Sequence, residues 1–257
     1  MIFTFSGTGN SFHAARLISE ALSIPKTDLA SAVRYERFMY DAKGEDVGFV
    51  FPVYYFGLPD MVRRFAEKVE VRHAGRVFCV CTCAGTSGIA AEQLQEALGK
   101  RLKVDVFYDV LMPENAVFYE DVPSREEAKP ILEQADGRIS EIIEGLRSGE
   151  KGDLRTMAET EGAAEAYALY DEHRMTENFR INERCIECRI CEDVCPEQII
   201  KIYHRKPVWD EPQCSMCMCC LNLCPKKAIE FGPDTEGRGR YHHPDYDERV
   251  IGIPLRY

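Results

Sequence analysis

Two runs of cysteine constrain this chain more than any other feature. They are Cys185-x2-Cys188-x2-Cys191-x3-Cys195-Pro196 and Cys214-x2-Cys217-x2-Cys220-x3-Cys224-Pro225. The second repeats the first at an offset of 29 residues, and Ile200 matches Ile229 at the same offset. Cys219 sits beside Cys220 and breaks the repeat, while Cys79, Cys81 and Cys83 stand apart near the middle of the first half. The first apolar run begins at Ile2 and meets a polar glycine loop by Ser6, which leaves no room for a signal peptide. No apolar run reaches the roughly 18 residues that span a bilayer. The expectation is a cytoplasmic protein without a membrane span. In that reducing setting cysteines read first as ligands of metal or cluster, and disulfides are the rarer use.

The C-x2-C-x2-C-x3-C-P run is the ligand pattern of iron–sulfur cubes, with the cysteine before the proline crossing to the other cluster. One cluster is therefore expected on Cys185, Cys188, Cys191 and Cys224, and the other on Cys214, Cys217, Cys220 and Cys195. Apolar residues between the ligands, among them Ile186, Ile190, Met216, Met218 and Leu221, would line the clusters and exclude water. Zinc is the competing reading, but a zinc ribbon requires neither the third cysteine of each run nor the Cys-Pro step. Cys219 reads as a packed non-ligand, with a one-residue shift in ligation as the alternative. Over residues 179–232 the module resembles the two-cluster bacterial-type ferredoxins, a small α+β fold. The resemblance implies two [4Fe–4S] clusters and one-electron transfer at low potential.

Residues 1–148 have a different rhythm. Apolar runs at Ile2–Phe5, Val47–Phe51, Arg76–Thr82 and Val104–Leu111 alternate with helical spacing at Asn10–Leu22, Pro59–Val69, Ser87–Leu98 and from Ser124 to about Leu146. Lys26–Ala32 supplies a fifth, weakly signalled strand. Strands separated by helices imply a doubly wound parallel α/β sheet with both faces covered. Residues 149–178, charged and alanine-rich, read as a helical linker. Residues 233–257 form a tail whose apolar patch at Val250–Leu255 is expected to pack back on one of the domains.

The first strand ends in Ser6-Gly7-Thr8-Gly9-Asn10-Ser11, which opens a helix. Backbone amides, hydroxyls and a helix N-terminus together make an anion site. The absence of lysine excludes a triphosphate loop, and the dinucleotide glycine fingerprint is missing, so a single terminal phosphate suits it. Two more loops follow later strands: Pro52-Val53-Tyr54-Tyr55-Phe56-Gly57, and Thr82-Cys83-Ala84-Gly85. Residues Pro113 to Phe118 offer a further wall. This constellation resembles the FMN site of the flavodoxin family, with serine at both ends of the phosphate loop where that family carries threonine. The resemblance implies a five-stranded flavodoxin-like sheet, aromatic side chains flanking the isoalloxazine and a Gly57 peptide turning toward it. Taken singly, each loop is an ordinary turn or cap, and a flavodoxin-like domain with an empty site is the competing reading. Cys79 and Cys81 alternate in a strand and read as packing residues; Cys83 lies in the loop. His13 reads as a helix-surface or core residue. His242 and His243 have no third metal ligand in view.

The net charge of −11, from 32 basic and 43 acidic residues, argues against a general nucleic-acid binder and suits docking on a basic patch of a redox partner. Joined in one chain, the two modules resemble flavodoxin–ferredoxin fusions of the EFR1 type. That resemblance implies electron transfer between FMN, two clusters and external redox proteins, with no catalytic acid or base in a recognisable setting. An FMN-dependent reductase of a small molecule, fed by the clusters, is the alternative. A homodimer in which a second subunit completes the flavin site stays open.

Overall fold

The computed structural model describes residues 1–246. Four apolar runs and two short polar segments give one sheet of six strands: β1 (Ile2–Thr4), β2 (Lys26–Asp28), β3 (Val47–Pro52), β4 (Val77–Cys83), β5 (Val106–Leu111) and β6 (Gly152–Asp153). Their order is β2-β1-β3-β4-β5-β6, and every neighbouring pair is parallel. Five strands were expected; β6 adds a sixth at the edge. It is short and exposed, so it carries no hydrophobic alternation to read.

Five helices cover the sheet: α1 (Asn10–Leu22), α2 (Leu29–Arg34), α3 (Asp60–Ala66), α4 (Ala90–Leu98) and α5 (Arg125–Ser148). Alternation along the strands sends Phe3, Phe49, Phe51, Cys79 and Cys81 to the face covered by α3 and α4. Ile2, Val50, Phe78, Val80 and Tyr108 go to the face covered by α1 and α5. Each buried aromatic contributes about 1.5–3 kcal/mol of transfer free energy. Gly48 is needed in β3 because a Cβ there would overlap the Phe78 ring. The expected strand at Lys26–Ala32 is strand only to Asp28. The Asp28 carboxylate accepts the Ser31 N–H at 2.8 Å and starts α2. A small parallel ribbon, Met39–Asp41 with Glu70–Arg72, was not expected.

The segment after α5 is not one connecting helix. It forms β6, then two short helices at Ala163–Ala168 and Tyr170–His173. In the cysteine-rich region Phe179–Ile181 pairs antiparallel with Ile229–Phe231, and Ile200–Tyr203 with Lys206–Trp209. Short helices at Ile190–Asp193 and Cys219–Asn222 keep the 29-residue offset of the sequence repeat. Beside a small cluster of its own at Ile190, Cys219 and Leu223, the region shares its larger core with the α/β part. Val117, Val122 and Ala128 of the α/β part share one buried cluster with Phe179, Met216 and Leu221. Of the tail, the part through Tyr246 is described; the Val250–Leu255 patch lies outside the described residues. Among the described residues, no helix is long and apolar enough to cross a membrane.

Candidate functional site

The two cysteine runs repeat in backbone conformation. Glu187, Arg189 and Gln198 have φ of 61°, 66° and 59°; Met216, Met218 and Lys227, each 29 residues further on, have 51°, 53° and 47°. Non-glycine residues rarely hold this left-handed conformation, which persists where the surroundings demand it. Here it turns the chain between successive thiols. Burial first, then the neighbouring thiols of Cys224, Cys188 and Cys185, push Cys191 up to about 12. Cys220 rises well above its ordinary range through burial and then through Cys217, Cys195 and Cys214. Cys191 thus stands among Cys185, Cys188 and Cys224, and Cys220 among Cys195, Cys214 and Cys217.

Amides point at several of these sulfurs. Met216 N–H donates to Cys214 Sγ and Ala228 N–H to Cys224 Sγ, each at 3.2 Å. Burial raises the Cys195 thiol, while the amides of Ile199, Glu197, Gln198 and Ile200 oppose the rise. Crowded sulfurs with amides aimed at them are costly as free thiolates and suited to an iron core, which deprotonates its thiols outright. Cys219 is buried beside Ile190 and Leu223, with Tyr246 as its hydrogen-bond neighbour.

β1, β3, β4 and β5 deliver their loops to one end of the sheet, where two adjoining cavities form. The smaller, about 60 Å³, is lined by Ser6, Gly7, Thr8, Asn10 and Ser11, with Pro52 and Thr82. The larger, about 890 Å³, is lined by Tyr55, Phe56, Gly85 and Phe118 among others. Val53, Tyr54, Cys83, Ala84, Glu114 and Asn115 belong to both. A pocket of phosphate size therefore opens into one of ring-system size.

The loop's hydroxyls are pre-oriented. Ser6 Oγ accepts Gly9 N–H at 3.1 Å, and Thr8 Oγ1 accepts the Asn115 side-chain amide at 2.6 Å. Each hydroxyl hydrogen is left to donate. Ser11 Oγ and Thr82 Oγ1 lie 2.7 Å apart, and the Thr82 hydroxyl also reaches the Phe51 carbonyl at 3.5 Å. Gly9, the N-cap of α1, is in a left-handed conformation and no side chain caps the helix. The Tyr54 hydroxyl is buried without a partner among the described residues and lies against Gly7. An uncapped helix end, free hydroxyl hydrogens and an orphaned phenol fit a phosphate-bearing ligand.

Gly9 and Gly57, both expected at a cofactor, line neither cavity. A Cβ on Gly9 would overlap Tyr246 and approach His243; one on Gly57 would overlap the Tyr167 ring. Gly57 closes a tight turn in which Tyr54 N–H donates to Gly57 O at 3.0 Å and Gly57 N–H to Tyr54 O at 2.8 Å. The amide expected to turn toward a flavin is committed there. Tyr55 and Phe56 form the corner at φ of 49° and 61°, where Asn-Gly is the usual choice.

The cysteine-rich region closes the far side. Met216 and Met218, flanking Cys217, line the larger cavity. A Cβ on Gly7 would overlap the Cys217 carbonyl, so the glycine loop and this cysteine loop touch. The two parts are pinned by Arg64, 2.5 Å from Glu197, and by the Tyr170 hydroxyl, which accepts Asp60 N–H at 3.4 Å and donates to Ser215 O at 2.9 Å.

The tail straps the glycine loop. Tyr241 N–H donates to Asn222 Oδ1 at 2.9 Å, its hydroxyl to Asn10 Oδ1 at 2.8 Å, and His243 N–H to Thr8 O at 2.8 Å. His13 is buried, with Nε2 2.6 Å from Asp136 and Nδ1 2.7 Å from Asp245. His13, His243 and Asp245 thus bring three donor atoms within 4.8 Å of one another, a third ligand the sequence did not show. Arg16 also holds Asp245, at 2.6 Å, so the group is an ion-pair network.

An α/β sheet protein carrying a cysteine-rich iron–sulfur region is the class this arrangement defines. Residues 166–229 match the family model of the 4Fe-4S dicluster domain. That match begins inside the stretch read as a linker and makes residues 166–229 a 4Fe–4S ferredoxin-type domain. No curated protein matches the chain. Sequence reasoning missed Tyr167, Tyr170 and His173, which face Gly57, Ser215 and the larger cavity, because an alanine-rich charged segment shows no period to place them.

Proposed function

We propose that the chain is an electron-transfer protein that binds one FMN between its α/β part and its ferredoxin-type domain and passes single electrons between the flavin, two [4Fe–4S] clusters and external redox proteins. The order of the first five strands is that of flavodoxin-like sheets, whose ligands bind at the switch point outside the carboxyl ends of the strands. The phosphate would sit on Ser6, Thr8 and Ser11 with the Tyr54 hydroxyl, and the ring system in the larger cavity. The cluster ligands would be the two crossed sets, Cys185, Cys188, Cys191 and Cys224, and Cys214, Cys217, Cys220 and Cys195. FMN, when bound, supplies a centre that accepts electrons singly or in pairs, where a cluster passes one. The chain's own residues orient the phosphate, exclude water through the tail and hold the clusters on amide-bonded sulfurs.

One observation carries this reading: the loop bearing Cys214, Cys217 and Cys220 is also a wall of the cavity opened by the glycine loop. A donor and an acceptor sharing one wall exchange electrons without diffusing. Anaerobic purification followed by iron, sulfide and flavin analysis tests it. About eight irons and one FMN per chain are expected. Reduction by a low-potential donor should then reach the flavin; a flavin that stays oxidised beside reduced clusters on every timescale ends the proposal.

A second reading, a flavin-dependent reductase, is favoured by the cavity itself. Tyr54, Tyr55 and Phe56 line it without sealing it, so a flavin ring bound there would stay open to a small molecule.

A further inference from the structure

We infer that the larger cavity is a reduction site for a neutral, planar carbonyl compound of the quinone class, with Tyr55 as the proton donor and His173 as its relay to solvent. This rests on the FMN reading and extends it from carrier to enzyme.

The geometry begins with strain. Tyr55 stands at φ of 49° on the corner of the Tyr54–Gly57 turn. A left-handed conformation is strained for an aromatic residue and persists where the surroundings demand it. Its ring stacks on Phe118 at 5.9 Å and 10°, which fixes the direction of the phenol. The Tyr55 hydroxyl lies 3.0 Å from Nδ1 of His173. Both residues line the cavity, and His173 is also exposed to solvent. A phenol hydroxyl on the cavity wall, hydrogen-bonded to an exposed imidazole, is a path for protons from water. Electron carriage alone needs no such path.

The lining sets the class of substrate. Phe118, Met157, Leu169, Met216 and Met218 make it apolar, and its charged side chains are Glu114, Glu120 and Glu159. Among the described residues, no lysine or arginine lines it. Carboxylates, sulfonates and the pyrophosphate of a nicotinamide cofactor would meet three acidic side chains, with His173 as the one basic group among the described lining residues. A flat neutral ring stacks on the aromatics and thioethers, and its carbonyl oxygen accepts the Tyr55 hydrogen. The reaction balances as quinone plus two electrons plus two protons giving quinol. The electrons come singly from an external low-potential one-electron donor through the clusters. The protons come from water through His173 to Tyr55, one for each carbonyl oxygen as the substrate turns or a water relays the second.

The test uses the full-length holoprotein, with flavin and cluster content fixed first by absorbance. Binding of 1,4-naphthoquinone to the oxidised protein is followed by fluorescence quenching, and 1,4-naphthoquinone-2-sulfonate is the charged control. The neutral probe should bind at least about tenfold tighter, which is ~1.4 kcal/mol. The photoreduced protein is then mixed with naphthoquinone in H2O and D2O. Tyr55→Phe should weaken probe binding by no more than the several-fold worth of one hydrogen bond and reoxidise roughly 100-fold more slowly, the usual scale for a lost proton donor. His173→Gln should slow reoxidation less and change the solvent isotope effect. Failure of the neutral probe to bind, or wild-type reoxidation and isotope effect in both variants, overturns the inference. If flavin and clusters still exchange electrons in that case, the electron-transfer proposal stands; if no flavin is bound, the earlier proposal has failed.

Discussion

At the scale of single residues, Cys195 and Gly9 make the sharpest commitments. Cys195 belongs by sequence to the first cysteine run, yet its thiol stands among Cys214, Cys217 and Cys220. Cys195→Ala is expected to cost the cluster of the second run while the Cys185, Cys188 and Cys191 set keeps its iron. Iron analysis with low-temperature spin resonance reads the difference; a full second cluster in the variant would falsify the crossed assignment. Gly9 has φ of +100° and no space for a Cβ beside Tyr246. Gly9→Ala combines backbone strain with overpacking and should cost about 2–4 kcal/mol, with the tail becoming open to protease. A urea midpoint equal to the wild type's would show that the strap does not press on this loop.

At the scale of elements, the strap itself carries a pH dependence. Burial, and then the neighbouring His13, lower His243 from 6.5 to about 4. The groups facing it are His13 and Arg16 of α1, Asp136 of α5 and Asp245 of its own segment. Folded His243 is neutral where the unfolded residue binds a proton, so its contribution is complete above pH 6.5 and falls away as pH drops toward 4. The loss is on the order of 3 kcal/mol. His243→Phe keeps the ring that stacks on His13 at 4.1 Å and removes the titration. Stability measured across that window should slope in the wild type and flatten by this amount in the variant; parallel slopes would place the dependence elsewhere. This contact was invisible in the sequence because His13 and Asp245 meet across 232 residues. The glycine loop was legible, since its chemistry is local: glycines, hydroxyls and a helix start within six positions. β1, β3, β4 and β5 were legible because their apolar runs end at glycine or proline. β6 was not, because two exposed edge residues have no pattern, and α2 was hidden because its cap at Asp28 follows directly on β2.

For the whole molecule, the shared buried cluster matters more than either part alone. Val117, Val122 and Ala128 pack with the residues around Cys195 and Cys220, and Tyr54 and Tyr55 lean on the same cluster. The ferredoxin-type domain was readable from spacing, but its place as a wall of the larger cavity was not, because long-range packing and not local pattern puts Met216 and Met218 there. With both cofactors bound as proposed, their sites would be coupled through this wall. Without iron, the crowded sulfurs of Cys214, Cys217 and Cys220 must protonate or separate, and the loop carrying Met216 and Met218 loses the centre that shapes it. That loop also presses on Gly7 through the Cys217 carbonyl. Oxidative removal of the clusters in the presence of a chelator is therefore expected to release FMN together with iron. Flavin fluorescence should rise in step with the loss of cluster absorbance, and one thermal transition should give way to a broader one at lower temperature. A flavin that stays bound and quenched after all iron has gone would mean that the α/β part builds its site unaided, and the wall seen here contributes nothing to holding the cofactor.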